Sequence, residues 1–292
     1  MAGGDKIMEW MSRLGGSLAS AAKVVLVSKW HTAVPKVDAS QEIVVLGNGP
    51  SLNDTITRDR HFLAGKSLLA VNFAGNAPVF FDLKPRYYVL ADPVFFEDGT
   101  HDNVNNLWDT FVNRTTWEMT LFAPARFRKC RRLAEVAKNG KIKVCFYNLT
   151  PVEGFNWVEN FAYGSGLGMP RPRNVLIPSL MLALRMGFKH IYVAGADHTW
   201  TQTLSVTDDN QVVSIQPHFY KEDKKEEARQ AAVYHKFPLY KLMHSFYVAF
   251  KSYFTIRRYA ESINAEIINI TPGSFIDAFK RMKVSDNDGG NK

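Results

Sequence analysis

The residues that could do chemistry in this chain stand where short apolar runs stop. Glu42 to Asn53 reads EIVVLGNGPSLN, in which Ile43, Val44, Val45 and Leu46 are broken at once by Gly47-Asn48-Gly49-Pro50-Ser51. Gly47 and Gly49 put no Cβ between backbone and ligand, Asn48 tolerates a left-handed conformation, and Ser51 can cap a following helix. A strand, a glycine turn and a helix start in succession form a seat for a nucleotide phosphate. The dinucleotide fingerprint is incomplete, because its third glycine is absent and Pro50 intrudes. The pattern recurs down the chain. SLLAVN ends in Asn72, PRYYVLADP carries Asp92, and KHIYVA runs into Gly195-Ala196-Asp197-His198. Ligands of open α/β sheets bind outside the carboxyl ends of the strands. Asn48, Asn72, Asp92, Gly195 and Asp197 are therefore expected around one crevice.

Two histidines could move a proton there, since imidazole titrates near neutrality. His198 adjoins Asp197 at the sheet edge. His218 lies in Gln216-Pro217-His218-Phe219-Tyr220, within an irregular stretch from Thr201 to about Lys225. Long irregular segments inside a domain are usually functional lids. His218 is the first choice as base, and Tyr220 is the neighbour that could steady a departing phosphate. The two cysteines, Cys130 and Cys145, have no metal-ligand spacing, so no metal site is expected and the pair fits a reducing cytosol.

The elements that must position these residues are legible in outline. Lys141 to Tyr147 reads as a further strand and Glu266 to Ile270 as the last one. Asn174 to Met186 is an apolar helix with Gly187 as its cap. Asp98 to Arg132 is mixed and ends in a basic run (Arg126, Arg128, Lys129, Arg131, Arg132) expected on a solvated helix face. Tyr163 to Gly168 is expected to be a flexible loop near the site. The fold class is α/β: a Rossmann-like, mostly parallel sheet with helices on both faces and a lid-like insertion before the C-terminal helices. The division expected is an N-terminal extension over 1–40, a nucleotide-binding core over 41–200 and a lid over 201–233. Aromatic-basic helices and the final strand then fill 234–292.

Composition sets the partners. The 292 residues are 46% hydrophobic and 22% charged, enough to bury a core, and 36 Lys and Arg against 28 Asp and Glu give a net charge of +8. Such a balance favours nucleotides or anionic lipid surfaces. No nucleic-acid-binding motif is present in the sequence, so nucleic acid is not an expected partner. Trp10, Met11, Leu14 and Leu18 recur at helical spacing in an extension too short in apolar run to span a bilayer, suited to a membrane surface or to packing on the body. Tyr234 to Tyr259 interleaves aromatics with Lys241, Lys251, Arg257 and Arg258, which fits a headgroup layer or a core helix with its lysines outside. The expected location is the cytoplasm, at the inner face of the membrane.

The GNGPSL turn, the VNF strand end, the GFKHIYVAGAD block and the later PHFY together resemble two related families over roughly residues 42–279. One is the bacterial sialyltransferases of glycosyltransferase family 42, which use CMP-sialic acid. The other is the MptE-like (DUF115) group, named for a 6-hydroxymethylpterin diphosphokinase. The resemblance implies that Asn48, Gly49 and Asn72 hold the nucleotide, that Asn174 lies near the donor, and that His218 is the general base. Asp92 stands where the sialyltransferases carry an asparagine. The first branch implies an inverting glycosyltransferase with a nucleotide-sugar donor, a glycan or glycolipid acceptor and no cofactor, acting in cell-surface polysaccharide synthesis. The second implies a Mg²⁺-dependent diphosphokinase with Asp92 and Asp197 as metal carboxylates. A non-catalytic nucleotide-binding subunit would use the same turn without His218.

Overall fold

The computed structural model describes residues 2–97, 99, 102–214, 219 and 237–284. In chain order the helices are α1 (Ala2–Val27), α2 (Leu52–Arg58), α3 (Arg60–Leu63), α4 (Val79–Leu83), α5 (Asp102–Asp109), α6 (Arg131–Val136), α7 (Asn156–Ser165), α8 (Leu176–Met186) and α9 (Leu239–Ser262). The strands are β1 (Glu42–Leu46), β2 (Ser67–Val71), β3 (Tyr87–Val89), β4 (Met119–Pro124), β5 (Ile142–Tyr147), β6 (His190–Ala194), β7 (Ser205–Val206), β8 (Val212–Val213), β9 (Glu266–Asn269) and β10 (Lys280–Arg281).

Eight strands form one sheet in the order β10-β9-β6-β1-β2-β3-β4-β5, and every neighbouring pair is parallel. Parallel neighbours need crossovers, and the crossovers cover both faces. The pleat of β1 splits accordingly: Ile43 and Val45 join one core with α8, whereas Val44 and Leu46 join another with Leu52 and Ile56 of α2. The chain winds outward from β1 to β5, then returns with β6 on the other side of β1. The switch point therefore lies between the carboxyl ends of β1 and β6, where a ligand crevice is expected.

The α/β reading with a parallel sheet holds. Several local expectations do not. The mixed stretch before Arg132 contains a buried six-residue strand, β4, whose MTLFAP is hidden between Trp117 and the basic run. That run is no single helix, since a 3-10 turn (Ala125–Phe127) precedes the short α6. Tyr163 to Gly168 is not a loop at the crevice: it is the end of α7 with Gly166 as a left-handed cap (φ +72°). α1 runs unbroken through Gly15-Gly16. Of the expected lid, the described part is a 3-10 turn (Trp200–Thr203) and the antiparallel β7–β8 pair. Among the described residues no helix is long and apolar enough to cross a membrane.

Candidate functional site

The turns after β1 and β6 interlock. Gly47 N–H donates to Ala194 O (2.8 Å) and Gly49 N–H to Gly195 O (2.8 Å). A Cβ on Gly47 would stand 2.4 Å from Gly195 O, and one on Gly49 only 1.9 Å from Asp197 Oδ2. The glycines are thus required by protein against protein. This corrects the reading of Gly49 as a free amide for phosphate, because its N–H is already engaged.

Ser51 is corrected in the same way. Its backbone is helical and its side chain makes no cap bond on α2. Its hydroxyl donates instead to Asp197 Oδ2 (2.8 Å). Asp197 is half-buried, and burial pushes its carboxyl up while the bonds from Ser51 act against that shift. An internal carboxylate therefore occupies the turn-and-helix start that the sequence offered to an external anion.

Above these turns lies a crevice of about 520 Å³, within the range of small-molecule sites. The structure brings Asn48, Gly49, Asn72, Asp92, Asn174, Gly195, Asp197 and His198 to its walls. Gly47 and Ser51 sit beneath it and do not line it. His218 and Tyr220 lie outside the described residues. Phe219 is described: its N–H donates to Asn48 O (2.9 Å) and its carbonyl accepts from Asn53 Nδ2 (3.0 Å).

One wall is knitted shut. His198, held at φ +53°, is buried, with its Nε2 2.6 Å from the Tyr253 hydroxyl. That hydroxyl donates to Asn174 Oδ1 (3.1 Å), which also accepts from the N–H of Leu176 (3.0 Å) and Ile177 (3.3 Å) and so caps α8. The Trp200 ring lies over His198, centroids 4.1 Å apart. Burial pushes the imidazole down to about 3, so it is neutral at physiological pH. Burial also pushes the Tyr253 phenol upward.

Other residues of the lining have open valences and make up what is called the open wall. Asn48 Oδ1 and Asn72 Oδ1 are buried without a hydrogen-bond partner among the described residues. Asn72 is held left-handed (φ +48°), its carbonyl accepting from the Tyr88 hydroxyl. Orphaned buried acceptors call for an explanation, and a ligand's donors are one. Arg126 and Arg173 also face the crevice, and neither pairs with a carboxylate among the described residues. Arg126 is steadied over the Phe127 ring, 4.6 Å from its centroid. Sequence reasoning misses both as site residues: Arg126 belongs to a run expected on a solvated face, and Arg173 stands in an aperiodic PRPRN segment.

No family model and no curated protein matches this chain. Among solved structures, the MAf glycosyltransferase from Magnetospirillum magneticum AMB-1 is similar over 94% of this chain and 38% of that one, at 13% identity and a TM-score of 0.47. The chain thus spans well under half of that structure's length. Likeness of that degree fixes neither substrate nor reaction, which leaves the chemistry of the crevice to decide both.

The crevice offers two cations for an anionic group and carboxamides for sugar or base edges. Asp92 is exposed, with Oδ1 accepting from Val94 N–H (3.0 Å). Among the described residues no group of three His, Cys, Asp or Glu side chains could by itself hold a metal ion.

Proposed function

We propose that this protein is a glycosyltransferase that takes a nucleotide-activated sugar of the CMP-sugar type and acts on a glycan or glycolipid of the bacterial cell surface. The observation that carries the reading is the open wall: two arginines that meet no carboxylate and two buried carboxamide oxygens that meet no donor among the described residues, at the switch point of a parallel sheet. Arginines bind phosphate oxygens in a fixed fork, and carboxamide oxygens accept from sugar hydroxyls or a base amine. Phosphate is held by side chains in this reading, not by the amides of the glycine turn.

Transfer would be a direct displacement with inversion. The acceptor hydroxyl oxygen forms a bond to the anomeric carbon as the bond to the phosphate oxygen breaks, and a base takes the hydroxyl proton. His218 remains our proposed base. His198 suits that role less, because burial depresses its basicity and its Nε2 already faces Tyr253. Arg126 and Arg173 would offset the negative charge growing on the leaving phosphate.

A second reading, the Mg²⁺-dependent diphosphokinase, draws on Asp92 and Asp197 lining one crevice. Each carboxylate has an oxygen engaged by the protein, so bound phosphates would have to complete an octahedral shell.

A thermal-shift panel of nucleoside mono-, di- and triphosphates and nucleotide sugars, with EDTA or with Mg²⁺, tests both. Ligands that bind only the folded state raise its melting point. A cytidine nucleotide that stabilises in EDTA, and less so in Arg126→Ala, supports the first reading. Stabilisation by triphosphates in Mg²⁺ alone, lost in Asp92→Asn, moves the reading to the second. No shift with any nucleotide overturns both.

A further inference from the structure

α1 is attached to the body through its polar side. Ser17 Oγ accepts from Phe155 N–H (2.9 Å), Ser20 Oγ donates to Glu153 O (2.8 Å), and Ser28 Oγ donates to Leu167 O (2.6 Å). Gly16 lets the helix backbone close on Glu153, where an added Cβ would lie 3.3 Å from its carbonyl oxygen. Just after the helix, the Asn148 side chain clamps the Lys29 peptide, accepting from its N–H and donating to its carbonyl (2.8 Å each). Ser17, Ser20, Val24 and Ser28 recur at three- and four-residue spacing, so one face is fixed against the protein.

The apolar residues lie elsewhere on the helix. Met11, Leu14, Leu18 and Val25 repeat at the same spacing and point into solvent, Leu18 being 65% exposed. Leu26 is 82% exposed. A helix that docks by serines and shows its leucines outward inverts the usual arrangement of a surface helix.

Three features say what covers that face. Trp10 borders it, packed on Phe155, and Trp157 at the start of α7 is 73% exposed; tryptophan favours the headgroup level of a bilayer. The segment that carries the stripe is basic, with Lys6, Arg13, Lys23 and Lys29 against Asp5 and Glu9, and Glu9 is already paired to Arg13 (2.8 Å). After Arg171, both Lys251 of α9 and Lys23 of α1 help hold the Glu153 carboxyl below the usual range. α9 also exposes Tyr240 and Tyr247, each with a lysine against its ring. A second copy on the same face would set these cations against their own images, whereas an anionic surface complements them.

We propose that α1 lies in the plane of an anionic lipid bilayer, immersing its Met11–Leu14–Leu18–Val25 stripe while its serine face holds the protein at a fixed orientation. The helix lies on the membrane and does not span it. The proposal stands apart from the reaction assigned to the crevice.

The test is sedimentation of the full chain with phosphatidylglycerol-rich vesicles and with pure phosphatidylcholine vesicles, at low and high salt. Binding to the anionic vesicles is expected, weakened by salt. The variant Met11→Ser/Leu18→Ser/Val25→Ser removes groups that are mostly exposed, so the fold by circular dichroism and the melting point should be little changed, while partitioning falls roughly tenfold or more. Lys23→Gln/Lys29→Gln should lower partitioning to anionic vesicles alone. Absence of vesicle binding at low salt overturns the proposal. So does a concentration-dependent dimer, abolished by the triple serine variant, in a protein that ignores vesicles.

Discussion

The two walls of the crevice are built from similar residue types and do opposite things. In one set of groups, the closed wall, the polar atoms are spent on their neighbours: Gly49 on Gly195, Ser51 beneath it on Asp197, His198 on Tyr253, Asn174 on the first turn of α8. In the other set, the open wall of Asn48, Asn72, Arg126 and Arg173, the carboxamide oxygens have no hydrogen-bond partner and the guanidinium groups no carboxylate among the described residues. Residue type therefore does not separate support from binding. Residual valence does. Substitutions on the closed wall should act through stability, and those on the open wall through ligand affinity.

The largest effect should come from Gly49→Val. The sequence suggests a folded protein that has lost its phosphate seat. The geometry says otherwise, since the new Cβ would meet Asp197 Oδ2 at 1.9 Å and Gly195 O at 2.8 Å. Relief requires parting the β1 and β6 turns and the Ser51–Asp197 bond with them. A loss of roughly 3 kcal/mol or more is expected, measured as a drop in the denaturation midpoint. A variant with unchanged stability would mean that the turns are not locked as described.

His198 should make stability depend on pH. Its folded value lies near 3 against an ordinary 6.5, so below 6.5 the unfolded chain takes up a proton that the folded chain refuses. Stability from this group is complete above 6.5 and is lost as pH falls toward 3, at a limiting slope of about 1.4 kcal/mol per pH unit. Asp197 acts in the opposite sense, because its raised carboxyl favours the folded state once pH enters the carboxylate range. The window from 6.5 down to that range therefore reports His198. Denaturation between those limits should show the slope, and His198→Gln should flatten it. A wild-type profile as flat as the variant's would place the imidazole in contact with solvent.

Asn174→Ala is a smaller step on the same wall. It removes the acceptor for Leu176 N–H, Ile177 N–H and the Tyr253 hydroxyl, and loss of a helix cap costs about 1 kcal/mol. A thermal melt checks it. A fall in nucleotide affinity with no change in stability would move Asn174 to the open wall, where the resemblance to the sialyltransferases puts it.

How far the sequence foretells this division depends on which forces are local. Buried parallel strands announce themselves as apolar runs, so β1, β2, β5, β6 and β9 can be read directly, as can α8 with its Gly187 cap. The crevice is legible because strand ends are marked by abrupt polar residues: Asn48, Asn72, Asp92 and Asp197 all reach it. β4 is hidden, because the aromatic residues before it and the arginines after it blur its limits. Partnerships are not legible at all. Tyr253 meets His198 across 55 positions, and Ser51 meets Asp197 across 146. Nothing in either local sequence says that a serine after a glycine turn will bind a carboxylate and not cap its own helix. Arg173 is invisible for a related reason: an arginine in a segment that alternates with prolines has no periodicity to place it.

The smallest change in stability should come from the open wall, and it is the sharpest test of the contrast. Arg126 and Arg173 are exposed and hold no carboxylate among the described residues, so Arg126→Ala and Arg173→Ala should each stay within about 0.5 kcal/mol of the parent. Hydrogen bonds to charged groups contribute about 1.5–3 kcal/mol, and each arginine that grips phosphate should then be worth roughly a tenfold or greater loss of nucleotide affinity on removal. Lysine in place of arginine keeps the charge but not the planar fork, so Arg126→Lys should recover only part of that loss. Isothermal titration with the nucleotide found by thermal shift, run beside urea denaturation of the same samples, separates the two quantities. If the alanine variants lose stability and keep affinity, the arginines belong to the scaffold and both walls are closed. If affinity falls while the denaturation curves superimpose, the wall with free valences is the one that binds.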